Sequence, residues 1–73
     1  MSIHNYIDKS IAMNIHKKKI SDLIKKERVV TSSEVANHLN ISWNTAEKYL
    51  LELIIEGKVD KIKKVGVNLW VLR

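Results

Sequence analysis

The stretch from Glu34 to Leu53, EVANHLNISWNTAEKYLLEL, constrains the fold more than any other part of this sequence. Its apolar residues recur at helical spacing on both sides of a three-residue break, Asn40 to Ser42, which predicts two short helices joined by a tight turn. Ala36 is small enough for the two helices to cross at a steep angle. The residues predicted to pack inward with it are Val35, Leu39, Ile41, Ala46, Leu50, Leu53 and Ile54.

Capping residues support these two helices. Thr31 and Glu34 have the spacing of a capping box, in which each side chain satisfies a free backbone N–H of the helix start. Asn40 tolerates the left-handed conformation that ends a helix, and Ser42 is an N-cap for the next one. Gly57 takes positive φ without a steric clash, so we expect the later helix to end just before it.

The flanking segments predict a mixed fold. Apolar spacing predicts a helix from about Asn14 to Glu27, and the β-branched residues after it favour a brief strand or an extended link. Residues 59–65 and 67–72 are rich in β-branched and bulky residues, and Gly66 lies where a hairpin would turn. Because residues 69–72 are apolar without a break, the pattern does not decide which face of this strand is buried. A bulge or a dimer contact would explain the unbroken apolar run.

The N-terminal segment carries a stripe of isoleucines at four-residue steps: Ile3, Ile7, Ile11 and Ile15. Three arrangements fit this stripe: packing on the domain itself, packing on the same stripe of a second chain, or a frayed tail. We therefore divide the chain into an N-terminal helical extension, residues 1–13, and one domain, residues 14–73. The extension is a candidate dimerisation segment.

The composition excludes several classes of protein. The 73 residues contain no cysteine, which excludes a disulfide framework and a thiolate zinc site. No apolar run approaches the roughly 18 residues of a membrane span, and no signal peptide is evident. We expect a soluble, cytoplasmic protein that does not enter a membrane.

The charge distribution favours a polyanionic partner. The formal net charge is +5. Residues 1–28 include seven basic and three acidic residues, residues 29–41 include one acidic residue and no basic one, and residues 42–73 include six basic and four acidic residues. Positive charge thus lies toward both ends of the chain, where an anionic surface would meet it.

With these helices, caps and strands, the sequence resembles the winged helix-turn-helix regulators of bacteria and archaea. The resemblance covers residues 14–72 and departs from the family at Asn40, often glycine, and at Ala46, often valine or isoleucine. It implies an α+β fold with a three-helix core and a C-terminal β-hairpin wing. The residues that carry it are Val35, Ala36, Leu39, Ile41, Ser42, Thr45, Ala46, Leu50, Leu53, Gly57 and Val59.

The resemblance further implies double-stranded DNA binding, with a recognition helix from about Ser42 to Glu56 in the major groove and a wing over residues 59–72 on the backbone. Asn44 is the best candidate to read a base, because an amide pairs with an adenine edge through two hydrogen bonds. Lys48 would reach guanine or a phosphate. Glu47 either accepts from a cytosine amino group or pairs within the protein.

Other candidate DNA contacts surround this helix. Trp43 either packs against the second helix or touches a thymine methyl or a sugar. The hydroxyls of Ser32, Ser33 and Thr45 are candidate phosphate donors, with helix capping alone as the alternative for the two serines. Ser42, the N-cap of the later helix, is a further candidate DNA contact. Lys61, Lys63 and Lys64 cluster near the hairpin tip, where they either contact the DNA backbone or protect an edge strand from aggregation. Lys17, Lys18 and Lys19 fit a solvated helix face better than a contact.

Nothing in the sequence favours catalysis, a metal or another cofactor. His4 and Asp8 have the spacing of a helical ligand pair, but two ligands do not make a metal site. No phosphate loop, nucleophile elbow or acid/base pair is evident, and so small a domain offers little room for a small-molecule substrate. We expect a binding protein and not an enzyme.

Two hypotheses for its function remain. The first is a sequence-specific transcriptional regulator that binds duplex DNA as a homodimer, because one such module covers too little DNA for useful specificity. The second is a winged-helix protein-interaction module of a replication or transcription assembly, which would use Trp43 and the apolar run ending at Leu72.

Overall fold

The computed structural model describes the backbone of residues 9–73 and the side chains from Asn14 onward. Over these residues the chain forms three helices and three strands, in the order α1 (Lys9–Glu27), β1 (Val29–Thr31), α2 (Ser32–Leu39), α3 (Trp43–Ile55), β2 (Val59–Lys64) and β3 (Val67–Leu72). Helix α1 is thus already formed at Lys9, earlier than the predicted start near Asn14. The isoleucines at positions 3 and 7 lie outside the described residues.

The predicted caps form. The Thr31 side chain accepts a hydrogen bond from the Glu34 backbone N–H, and the Glu34 carboxylate accepts one from the Thr31 N–H, which completes the capping box at the start of α2. Asn40 ends α2 with a left-handed φ of 54°. The Ser42 side chain caps α3 by accepting from the Thr45 N–H at 3.1 Å. The connection from Asn40 to Ser42 therefore has the predicted three residues.

The sheet is antiparallel, with strand order β1-β3-β2. Strand β1 pairs with β3, so of the two alternatives for the segment before α2, a brief strand or an extended link, the strand forms, in the same sheet as the wing. Strands β2 and β3 form the C-terminal hairpin and pair one to one from Val59 opposite Leu72 to Lys64 opposite Val67. The two turn residues, Val65 and Gly66, both have positive φ.

The core lies between the three helices and one face of the sheet. Trp70, in the middle of β3, is fully buried, which decides the face that the unbroken apolar run had left open. The residues predicted to pack inward from α2 and α3 are buried or partly buried. The buried apolar residues are Ile20, Ile24, Val30, Val35, Ala36, Ala46, Leu50, Leu53, Val59 and Trp70. Three helices with a C-terminal hairpin make this a winged helix-turn-helix fold, as the sequence predicted.

Candidate nucleic-acid interface

Helix α3 turns one face away from the core. Ala46, Leu50 and Leu53 fill the buried side. The opposite side, which we call the outer stripe of α3, carries four exposed residues at helical spacing: Asn44, Lys48, Leu51 and Ile55. The sequence predicted the first two as candidate contacts and missed the last two. Their signal was available, because both fall on the polar side once Leu50 and Leu53 are assigned to the core.

The first turn of α3 is accessible. Ser42, Trp43 and Asn44 are all exposed, and half of the Trp43 surface is open to solvent (51%). The Ser42 hydroxyl accepts from the Thr45 N–H and donates to the Thr45 Oγ1 at 2.8 Å, so both hydroxyls take part in the cap. The free backbone N–H groups and positive dipole end at this helix start favour an anion such as a phosphate.

Ser32 and Glu47 are held within the protein. Ser32 is only 4% exposed, and its hydroxyl accepts from the Trp70 indole N–H at 2.9 Å and donates to the Glu47 carboxylate. This chain of hydrogen bonds links β3, α2 and α3. Because Ser32 is buried and fully engaged, we remove it from the candidate phosphate contacts. The internal pairing considered for Glu47 is the arrangement that forms.

The wing lysines divide between the two faces of the hairpin. Lys61 pairs with Trp70 and Lys63 pairs with Asn68, so these two lysines share the face on which Trp70 meets the core. We call this the inner wing face. The Lys61 ammonium lies 5.9 Å from the centre of the Trp70 ring, a cation–π distance. Lys64 is one residue further along and therefore points to the opposite face.

A cleft of about 220 Å³ lies between the starts of α2 and α3 and the wing tip. Exposed Ser33, half-exposed Trp43 and half-buried Asn68 contribute to its wall. The complete lining is Thr31, Ser32, Ser33, Trp43, Glu47, Gly66, Val67 and Asn68. Asn68 was not predicted, because its place beside Trp43 depends on which face of β3 is buried.

The basic residues of α1 are partly neutralised. Lys17 contacts two carboxylates of α3, Glu52 at 3.8 Å and Glu56, and Lys18 lies 3.5 Å from Asp22. The hydrogen bond from Lys17 holds the pKa of the Glu56 carboxyl below its ordinary value, with further lowering from the Lys58 side chain. Of the lysines at positions 17, 18 and 19, Lys17 and Lys18 are therefore engaged within the protein.

Among the described residues, no group of three or more His, Cys, Asp or Glu side chains lies close enough to hold a metal ion. His16 instead shares a hydrogen bond of 3.1 Å with the Tyr49 hydroxyl and links α1 to α3. The candidate pair of His4 and Asp8 lies outside the described residues. Over the same described part of the chain, no helix is long and apolar enough to cross a membrane.

Solved structures resemble this chain, whereas no protein-family model and no curated protein matches it. The Zα domain of PKZ from Carassius auratus, in complex with Z-DNA, matches with a TM-score of 0.79 at 18% identity, over 85% of this chain and 98% of that one. A mutant of ZitR from Lactococcus lactis in apo form matches with a TM-score of 0.73 at 24% identity, over the whole of this chain and 63% of that one. This likeness shows the winged-helix fold, and the chain spans less than two thirds of the ZitR chain.

Proposed function

We propose that this domain binds duplex DNA, with the outer stripe of α3 in the major groove and the inner wing face on the adjoining backbone. The observation that carries the proposal is the placement of Lys61 and Lys63 on the side of the hairpin that faces the helices, where Asn68, the strand partner of Lys63, lines the same cleft as Trp43 of the open first turn of α3. A phosphate backbone attracts such a cluster in any sequence context. The net charge of +5 supports the same partner.

Base reading is assigned to the outer stripe. Asn44 pairs with an adenine edge, and Lys48 reaches guanine or a phosphate. Leu51 adds an apolar contact for a thymine methyl group. Glu47 is left out of base reading because Ser32 holds its carboxylate.

One structural neighbour, the Zα domain of PKZ, supports DNA as the partner and adds a second probe. The PKZ domain was solved on Z-DNA, a left-handed duplex, whereas insertion of α3 in a major groove assumes B-form DNA. Binding is therefore measured by fluorescence anisotropy on a B-form duplex and on a duplex stabilised in the Z form. We expect the B-form duplex to bind at least as tightly.

Salt and matched lysine variants test the assignment of faces. We expect affinity to fall steeply between about 50 and 200 mM salt, and Lys63→Ala to reduce the slope of log affinity against log salt by about 1. Lys64→Ala is the matched control on a short duplex with room for one copy, where dimerisation does not contribute, since it removes the same charge one residue away on the other face. Equal losses in both variants, or no binding to any duplex in dilute buffer, would contradict the proposal.

Specific regulation is the finer part of the proposal. We propose that the domain acts as a transcriptional regulator, as a homodimer without enzymatic activity, on a site with two half-sites about 34 Å apart. Selection of bound sequences from random duplexes, repeated with Asn44→Ala, tests it. Lost preference at one base position supports base reading, and uniform weakening contradicts it.

A protein-interaction module is the second candidate, and half-exposed Trp43 is the observation that favours it. An apolar protein contact barely responds to salt, whereas DNA binding weakens strongly. The anisotropy titration above therefore separates the two candidates.

A further inference from the structure

The sheet has a second face that is apolar and that none of the described helices covers. Side chains alternate along a strand, and directly paired residues share a face, so the register assigns every residue of the sheet to one side. The helices pack on the side of Trp70. The apolar residues on the other side, which we call the outer sheet face, are Val29, Ile62, Val67, Leu69 and Val71.

Solvent reaches much of this face. Val29, Ile62 and Val67 are 43%, 48% and 48% exposed, although an antiparallel sheet with one open face ordinarily places polar residues there. The one-to-one register of β2 and β3 contains no bulge that would turn these side chains inward. Contiguous exposed apolar residues of this kind mark an interaction surface.

We propose that the outer sheet face is a homodimer interface, with a second copy of this chain as its occupant. This face is self-complementary in charge and in shape. Asp60 and Lys64 point to this face from β2, two residues on either side of Ile62. In the dimer the outer sheet faces of the two copies stack on each other. The two-fold axis lies midway between the two sheets, runs perpendicular to the strands and passes the level of Ile62. Strand β2 of one copy then lies over β2 of the other copy, and the two strands run in opposite directions.

This operation pairs unlike charges and like shapes. Asp60 of each copy meets Lys64 of the other, and Ile62 meets Ile62. On β3, which is in register with β2, Leu69 lies at the axis, and Val67 meets Val71 of the other copy. Sheets stack at about 10 Å, a spacing that such branched side chains fill. Arg73 contacts Asp60 at 4.0 Å, but both side chains are exposed, so the pair is easily exchanged.

The size of the face sets the strength of the dimer. Three strands of up to six residues cover roughly 300 Å², well below the 800 Å² or so that each partner buries in a standard interface. The dimer should therefore dissociate on dilution. The outer stripe of α3 and the inner wing face stay uncovered, so dimerisation does not depend on the proposed DNA binding.

Sedimentation equilibrium of the full chain without DNA, over a concentration series, tests the interface. We expect the wild type to approach twice the monomer mass and Ile62→Lys to remain monomeric. Asp60→Lys places two like-charged pairs across the axis and should weaken association by about tenfold, because exposed pairs contribute little each. The double variant Asp60→Lys/Lys64→Asp restores both unlike pairs and should return close to the wild-type affinity. Circular dichroism confirms that each variant is folded.

Two controls place the interface on this face. Ile55→Lys makes the same substitution on the outer stripe of α3 and should leave association unchanged. Ile7→Lys tests the alternative dimer surface, the N-terminal isoleucine stripe. The proposal is overturned by a monomeric wild type at all concentrations, by failure of the double variant to recover, or by a dimer that Ile7→Lys abolishes and Ile62→Lys does not.

Discussion

The wing turn carries a correctable strain at Val65. This residue has φ of 50° and its side chain is 94% exposed, so nothing offsets the clash of a β-branched residue in the left-handed region. That region costs an L-residue roughly 1–2 kcal/mol, whereas Asn visits it readily. With Gly66 at φ 79°, the turn has positive φ at both central residues, the arrangement that favours Asn-Gly. Val65→Asn should therefore stabilise the domain by about 1 kcal/mol.

Urea and thermal unfolding measure this gain. For a domain of this size, 1 kcal/mol corresponds to a rise in Tm of about 4–8 °C. Gly66→Ala is the matched control, because a Cβ there would meet no atom within 4 Å and its cost is conformational alone. We expect that variant to lose about 1 kcal/mol, with an unchanged urea m-value in both.

A Tm for Val65→Asn equal to or below that of the wild type would refute this reasoning. So would a neutral Gly66→Ala, because both results follow from the same backbone conformation. Opposite shifts of similar size in the two variants would confirm that the turn has positive φ at both positions.

Two further predictions concern hydrogen bonds between elements. Ser32→Ala leaves the buried indole N–H of Trp70 without its partner and should lower the free energy of unfolding by about 1–3 kcal/mol, whereas exposed Ser33→Ala should change it little; urea unfolding of both distinguishes them. Because the pKa of Glu56 is lowered in the folded state, its ionised carboxylate stabilises the fold. This stabilisation is fully present above the ordinary carboxyl pKa and is lost as the pH falls through the lowered pKa. Glu56→Gln should therefore flatten the fall in Tm between neutral and acid pH, and an unchanged slope would contradict the pairing with Lys17.

Local signals in the sequence were sufficient for most of the fold. The Thr31 capping box, Asn40 in the left-handed region and the Ser42 cap each depend on residues within a few positions, and all three are present. Helical spacing correctly assigned Leu50 and Leu53 to the core. These predictions succeed because capping and amphipathicity are set by neighbours in the chain.

The sheet could not be predicted in the same way. The apolar run at residues 69–72 fits either face, and the side on which Trp70 lies depends on the pairing of β3 with β1, a strand far away in the chain, and on the helices that cover that side. For the same reason the sequence offered Ser32 as a candidate phosphate donor and did not reveal its hydrogen-bond partners Glu47 and Trp70, which are 15 and 38 residues away. Contacts between residues so far apart in the chain depend on tertiary packing, which the pattern of neighbouring residues does not predict.

The two-residue turn of the wing, Val65 and Gly66, determines which residues lie on the inner wing face and which lie on the outer sheet face. Because side chains alternate with a period of two, the register of β2 against β3 decides that Lys61 and Lys63 lie on the inner wing face while Ile62 and Lys64 lie on the outer sheet face. Loop length fixes that register in a hairpin. A shift of one residue would move the two lysines to the outer sheet face and Ile62 to the inner wing face. Val65→Asn keeps the loop length, so it should raise stability without altering either DNA affinity or dimerisation.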